Sequence, residues 1–114
     1  MKVVINSNAN NKDYHNDLYN IIKRCEEDLR SRIPNLTEVK ADIAKITSNI
    51  ASNMYGVSTK HQLMDDESQL TIFVKFRTEP TPEQIVKGVT QELKIIKEKY
   101  YWSLTVNLNN AGKR

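Results

Sequence analysis

The stretch QLTIFVKFR, at positions 69–77, constrains the fold more than any other part of the chain. Its residues alternate between two sides, with Leu70, Ile72, Val74 and Phe76 on one side and Thr71, Phe73, Lys75 and Arg77 on the other. Strict alternation is typical of a strand that buries one face. A weaker strand is predicted at 57–63, and the polar residues between the two predict an antiparallel hairpin. The chain must therefore build a sheet and cover one side of it.

Three helices predicted from the sequence would cover that side of the sheet. Apolar residues at helical spacing between Tyr14 and Ile33 predict a first helix, which Pro34 ends because proline disfavours the helical conformation in the residue before it. A second helix is predicted from a Thr37 cap to a stop at Gly56, with an apolar stripe that begins at Val39 and Ile43. The third helix begins at 81–84, TPEQ, which is a capping box with proline at the first helical position.

Short strands are predicted at 2–5 and, from the alternation of Trp102, Leu104, Val106 and Leu108, at 102–108. The expected order is β-α-α-β-β-α-β. This order predicts a single α+β domain over residues 1–114, with helices packed on one face of a mixed four-stranded sheet and a frayed tail at 109–114. The third helix would then form a right-handed crossover between two parallel strands.

Composition limits the class of protein. The 114 residues are 39% hydrophobic and 27% charged, which is ordinary for a globular domain. No stretch approaches the roughly 20 apolar residues of a membrane span, and a single cysteine, Cys25, allows no internal disulfide. We therefore expect a cytoplasmic protein. Lysine outnumbers arginine by 12 to 5, a bias of AT-rich genes that suggests an accessory protein of a phage or mobile element.

The acidic triplet Asp65-Asp66-Glu67 is the first candidate site. Hard cations such as Mg²⁺ take carboxylate oxygens, and a metal-dependent hydrolase or nuclease could use such residues. Metal-binding acids usually converge from different elements, or alternate in a loop that contains a glycine, whereas these three are adjacent. The sequence favours a hairpin turn, with the hydrolase as an alternative.

Other chemistry-bearing residues are sparse. Cys25 falls on the apolar stripe of the first helix, which predicts a core cysteine. Two histidines, His15 and His61, and one cysteine cannot complete a zinc site by themselves. No phosphate-binding glycine loop or nucleophile motif is present. These observations predict a protein that is not an enzyme and needs neither metal nor cofactor.

An aromatic residue on the outer side of the strongest strand points instead to binding. If helices cover one sheet face only, Phe73 is exposed beside Lys75 and Arg77, and exposed aromatics flanked by cations are typical of interfaces. Tyr101 and Trp102 are further aromatic candidates. We expect these five residues to contact a protein partner or a second copy of the chain, in an accessory, regulatory or inhibitory role.

A nucleic-acid partner is the alternative. The net charge is +3, and the excess lies in residues 81–114, which carry six Lys/Arg and three Asp/Glu. Lys87, Lys94 and Lys97 fall on roughly one side of the third helix, and Lys113 and Arg114 follow in the tail. Such residues would contact phosphates.

Overall fold

The computed structural model describes residues 1–9, 12–45 and 56–112, with 101–112 as helical backbone. Its elements are β1 (Lys2–Ser7), α1 (His15–Arg24), α2 (Glu26–Arg32), β2 (Glu38–Lys45), β3 (Val57–Leu63), β4 (Gln69–Phe76) and α3 (Pro82–Gly112). The order is β-α-α-β-β-β-α, around one four-stranded mixed sheet. The α+β class and the mixed four-stranded sheet are confirmed, whereas three of the predicted elements differ from those observed.

The strand order in the sheet is β1-β2-β4-β3. β1, β2 and β4 run parallel, and β3 pairs antiparallel with β4. The predicted hairpin of residues 57–63 and 69–77 is therefore confirmed as β3 and β4. β4 has a neighbour on each side, so both of its edges are paired.

One side of the sheet forms the core with the helices. Val39, Ala41 and Ile43 of β2 stand beside Leu70, Ile72 and Val74 of β4, and all six are buried. The helices contribute the buried residues Leu18, Ile22, Leu29, Ile85, Val89, Leu93 and Ile96 to the same core. Helices thus pack on one face of the sheet, as the patterning predicts.

The predicted second helix is wrong, because residues 38–45 form strand β2. The stripe from Val39 to Ile43 also fits an alternation in which Ala41 is the middle inward residue, and alanine is a weak signal of burial. β2 lies between β1 and β4, so its backbone groups bond on both sides. That pairing outweighs local helix propensity. The rest of the predicted helix, residues 46–55, lies outside the described residues.

The predicted last strand is also wrong, because residues 102–108 belong to α3, which continues to Gly112. A short alternation of apolar and polar residues does not exclude a helix, because extending a helix that has already formed is easier than starting one. The expected crossover through the third helix is therefore absent. A helical connection between parallel neighbours is instead formed by the α1–α2 segment between β1 and β2.

The predicted first helix is divided into α1 and α2 at Cys25. The Cys25 N–H donates to Ile22 O at 3.1 Å, and the Cys25 carbonyl accepts from the Leu29 N–H at 2.8 Å. Its side chain is partly buried and packs against the core. The apolar stripe on which the prediction rested therefore continues through the interruption.

The start of α3 has the predicted capping box. The Gln84 N–H donates to Thr81 Oγ1 at 3.2 Å, and the Thr81 N–H donates to Gln84 Oε1 at 2.9 Å. One turn later Gly88 lies close to the sheet: a Cβ built on it would be 2.8 Å from Val74 Cγ1. The missing side chain therefore sets how closely α3 approaches β4.

Gly88→Ala should lower the free energy of unfolding by about 1–2 kcal/mol, although alanine is the better helix former by about 1 kcal/mol. The reason is overlap with the stiff, β-branched Val74. Urea denaturation measures the change. In a Val74→Ala background the same substitution should become neutral or stabilising, and an equal loss in both backgrounds would contradict close packing at Gly88.

Candidate functional site

The side of the sheet away from the helices is the candidate site, and we call it the open face. It is formed by Lys2, Val4 and Asn6 of β1, Glu38, Lys40, Asp42 and Ala44 of β2, Gln69, Thr71, Phe73 and Lys75 of β4, and Ser58, Lys60 and Gln62 of β3. All of these residues are partly or well exposed. No element within residues 1–9, 12–45 and 56–100 covers them. Within the described part of the chain, this side of the sheet therefore faces solvent.

Phe73 lies near the middle of the open face, between two lysines. Lys60 Nζ is 5.7 Å from the ring centroid and Lys75 Nζ is 5.8 Å from it. Lys60 is the register partner of Phe73 on β3. Ammonium groups at this range are attracted to the ring, by about 0.5–1 kcal/mol at exposed sites. The two lysines and Phe73 form a basic patch around an aromatic centre, which we call the Phe73 patch.

Charge on the open face is mixed. Four lysines are present, Lys2, Lys40, Lys60 and Lys75, together with the acids Glu38 and Asp42. Glu38 is engaged within the face, because Lys2 Nζ lies 4.0 Å from it and Gln69 Nε2 donates to it. Asp42 is the register partner of Phe73 on β2. The uncompensated positive charge is therefore concentrated on the β3–β4 side.

The acidic triplet forms the tip of the β3–β4 hairpin. The Glu67 N–H donates to Met64 O at 2.8 Å, which closes the turn, and Glu67 adopts a φ of 60°. Asp66 Oδ1 accepts from the Ser68 N–H at 3.0 Å and from Ser68 Oγ at 2.6 Å. Asp66 thus holds the turn, as expected of aspartate, and Asp65, Asp66 and Glu67 are all exposed.

Hydrogen bonds from the Ser68 side chain and backbone lower the pKa of Asp66. A lowered pKa means that this contribution to stability is present above the unfolded-state pKa, near 3.8, and is lost as pH falls through the folded value. We expect Ser68→Ala to raise the Asp66 pKa, measured by NMR titration. Asp65 serves as the internal reference. An unchanged Asp66 pKa would show that the Ser68 side chain does not hold the carboxylate.

The five residues predicted to bind a partner are divided between the two layers. Phe73 and Lys75 lie together on the open face, and Arg77 follows β4 as an exposed residue. Tyr101 and Trp102 belong to α3 instead, and their side chains lie outside the described part of the chain. Lys60 was missed because 57–63 is the weaker strand pattern and its pairing with Phe73 depends on the hairpin register.

The lysines of the alternative site lie on α3. Lys87 and Lys94 are exposed. Lys97 is partly buried, with Nζ 3.9 Å from Asp28 Oδ2, and its carbonyl accepts from Arg32 Nε. Lys113 and Arg114 lie beyond the described residues. Two lysines, Lys87 and Lys94, thus remain as a solvent-facing pair one heptad apart.

A buried polar pair on the helix side is unexpected from the sequence. His61 Nδ1 lies 2.6 Å from Glu92 Oε2, and the two side chains are only 11% and 4% exposed. The Tyr100 ring packs against the imidazole, with centroids 6.2 Å apart. A signal existed in principle: His61 falls on the inward side of β3, and Glu92 falls on the buried stripe of α3.

Within residues 1–9, 12–45 and 56–100, no three His, Cys, Asp or Glu side chains come together as they would around a metal ion. A groove of about 550 Å³ runs between α1 and α3, lined by residues that include Asp17, Glu83 and Lys87. The His61–Glu92 pair is not among this lining. The described lining of the groove holds two carboxylates, those of Asp17 and Glu83, and no histidine.

None of the helices in the described part of the chain combines the length and hydropathy that a membrane span needs. No family model matches the chain, and no curated protein or solved structure matches it either. Functional inference for this protein therefore rests on the geometry of the open face.

Proposed function

We propose that the protein is a non-enzymatic binding protein whose open face docks a protein partner that presents carboxylates around an apolar side chain. The observation that carries this proposal is the Phe73 patch, an aromatic residue between Lys60 and Lys75 on an uncovered sheet face. Aromatic side chains, phenylalanine among them, are enriched in protein interfaces, and complementary charges guide the association of the two partners. A small protein of this kind would act as an accessory, regulatory or inhibitory component.

The mixed charge of the open face favours a protein over a nucleic acid. Asp42 stands next to Phe73 across the β2–β4 ladder. A phosphate backbone crossing the patch would approach this carboxylate, and like charges brought together are costly. A protein surface can place its own cation near Asp42 and its acids near the lysines.

The proposal is tested by selecting displayed peptides on the wild-type protein. We expect enrichment of sequences in which acids flank an apolar residue. The double variant Lys60→Glu/Lys75→Glu should bind the selected peptide at least about tenfold more weakly. Each substitution reverses a charge, so that the site repels the acids of the peptide. Fluorescence anisotropy measures the affinity.

The matched control reverses the same number of charges on α3, with Lys87→Glu and Lys94→Glu. This variant should bind the selected peptide as the wild type does, and both variants should show the wild-type circular dichroism spectrum. Equal losses of peptide affinity in the two variants would indicate that the peptide is attracted by the overall positive charge. That result would contradict a binding site at Phe73.

The exposed pair Lys87 and Lys94 supports nucleic-acid binding by α3 as a second candidate function. Binding of labelled DNA and RNA should then weaken steeply with salt, and the Lys87→Glu/Lys94→Glu variant should reduce the slope of log K against log salt by about 2. Absence of binding at low salt would exclude this function.

A further inference from the structure

The hairpin tip has the chemistry that the Phe73 patch requires. Met64, at the end of β3, is 48% exposed, and it is followed by the exposed acids Asp65, Asp66 and Glu67. The turn is ordered by hydrogen bonds from Glu67 to Met64 and from Ser68 to Asp66. An apolar side chain with three carboxylates is thus held on a pre-organised turn, which limits the entropy lost on binding.

The tip cannot reach the patch of its own chain. β3 and β4 are paired without interruption from Val57 to Leu63, and Gln69 and Phe73 lie about 13 Å apart along β4 at the usual strand rise. Folding back would break this ladder. The tip and the patch can therefore meet only between two copies of the chain.

We propose that two copies form a closed dimer in which the open faces stack antiparallel and the tip of each copy lies on the Phe73 patch of the other. A two-fold axis makes both contacts at once, which closes the assembly. Stacked sheets lie about 10 Å apart, a distance that side chains from both faces span. The Met64 sulfur would contact the Phe73 ring, a favourable pairing, while the acids of the tip face Lys60 and Lys75.

Residues between the tip and the patch permit this arrangement. The two-fold axis would cross β4 near Gln69 and Thr71, with Gln62 beside them on β3. These side chains are uncharged, so the rotation brings no like charges together there. On β2 the same rotation brings Lys40 of one copy towards Glu38 of the other. Asp42, on the β2 side of Phe73, is the exception. The acids of the tip must therefore lie towards Lys60 and Lys75, on the β3–β4 side of the patch.

This inference rests on the proposed function, because it names the occupant of the same surface as a second copy of the chain. A foreign partner with the chemistry of the tip would compete with dimerisation. Displacement of one copy by such a partner is then the means by which binding is regulated.

Sedimentation equilibrium from micromolar to millimolar concentration tests the dimer. The face variant, Lys60→Glu with Lys75→Glu, carries an acidic patch and an acidic tip. The tip variant, Asp65→Lys with Glu67→Lys, carries a basic patch and a basic tip and keeps Asp66 for the turn. The wild type should dimerise, whereas each variant alone should have a dimer dissociation constant at least about tenfold larger.

Mixing the two variants should restore a one-to-one heterodimer, because both patch–tip contacts then join opposite charges. The Lys87→Glu/Lys94→Glu variant should dimerise as the wild type does. A monomeric wild type at every concentration, or a dimer that neither variant weakens, would overturn the inference. If the wild type is monomeric but the face variant no longer binds the selected peptide, the dimer is refuted and the proposed function remains supported. Retention of the peptide would refute both.

Discussion

Replacing His61 with alanine is expected to lower the free energy of unfolding by about 3–5 kcal/mol. The substitution leaves the Glu92 carboxylate, which is 4% exposed, without its partner at 2.6 Å. A buried carboxylate that loses the partner it has among the described residues bears the cost of its desolvation. Urea denaturation followed by circular dichroism gives the free energy of unfolding, and Glu98→Ala, on the exposed side of α3, should change it by no more than about 0.5 kcal/mol.

The double variant His61→Leu/Glu92→Leu distinguishes two contributions to the free energy of unfolding: the penalty for an unpaired buried carboxylate and the stabilisation by the intact pair. Replacing both members by apolar residues of similar size is often neutral or stabilising, so we expect a stability within about 1–2 kcal/mol of the wild type. If His61→Ala and the double variant lose equal stability, the packing of this site, and not the uncompensated charge, determines the effect.

Ile72→Ala should lower the free energy of unfolding much more than Phe73→Ala, although the two residues are neighbours on β4. Ile72 is fully buried in the core, and its truncation leaves a cavity that costs about 2–5 kcal/mol. Phe73 lies on the open face, where truncation removes surface contacts such as those with Lys60 and Lys75 and should cost less than about 1 kcal/mol. Thermal and urea unfolding of both variants gives the comparison.

The comparison also tests whether the open face is covered in the whole protein. A segment packed over Phe73 would make its truncation as costly as that of Ile72. At a protein concentration at which the chain is monomeric, equal losses would therefore exclude the Phe73 patch as a docking surface. A small loss for Phe73→Ala together with weaker binding of the selected peptide would assign the side chain to binding.

Part of the candidate site could be predicted from the sequence. The alternation in β4 places Phe73 and Lys75 opposite the core residues, and the turn chemistry of residues 64–68 predicts the hairpin. Lys60 could not be assigned to the site, because its position beside Phe73 depends on the register of β3 against β4. The His61–Glu92 contact is likewise a meeting of two elements 31 residues apart.

Interactions between residues close in sequence are enough to predict four features, because each depends on adjacent residues. These are the hairpin, the end of the first helical segment before Pro34, the capped start of α3 and the inward side of β4. Tertiary structure decided the conformation of residues 38–45, whose stripe of Val39 and Ile43 suits a helix as well as a strand. In the sheet, β1 and β4 satisfy the backbone of β2 on both sides, and those bonds come from residues distant in sequence. Helix patterns can be satisfied within a segment, whereas a strand is completed only by its neighbours.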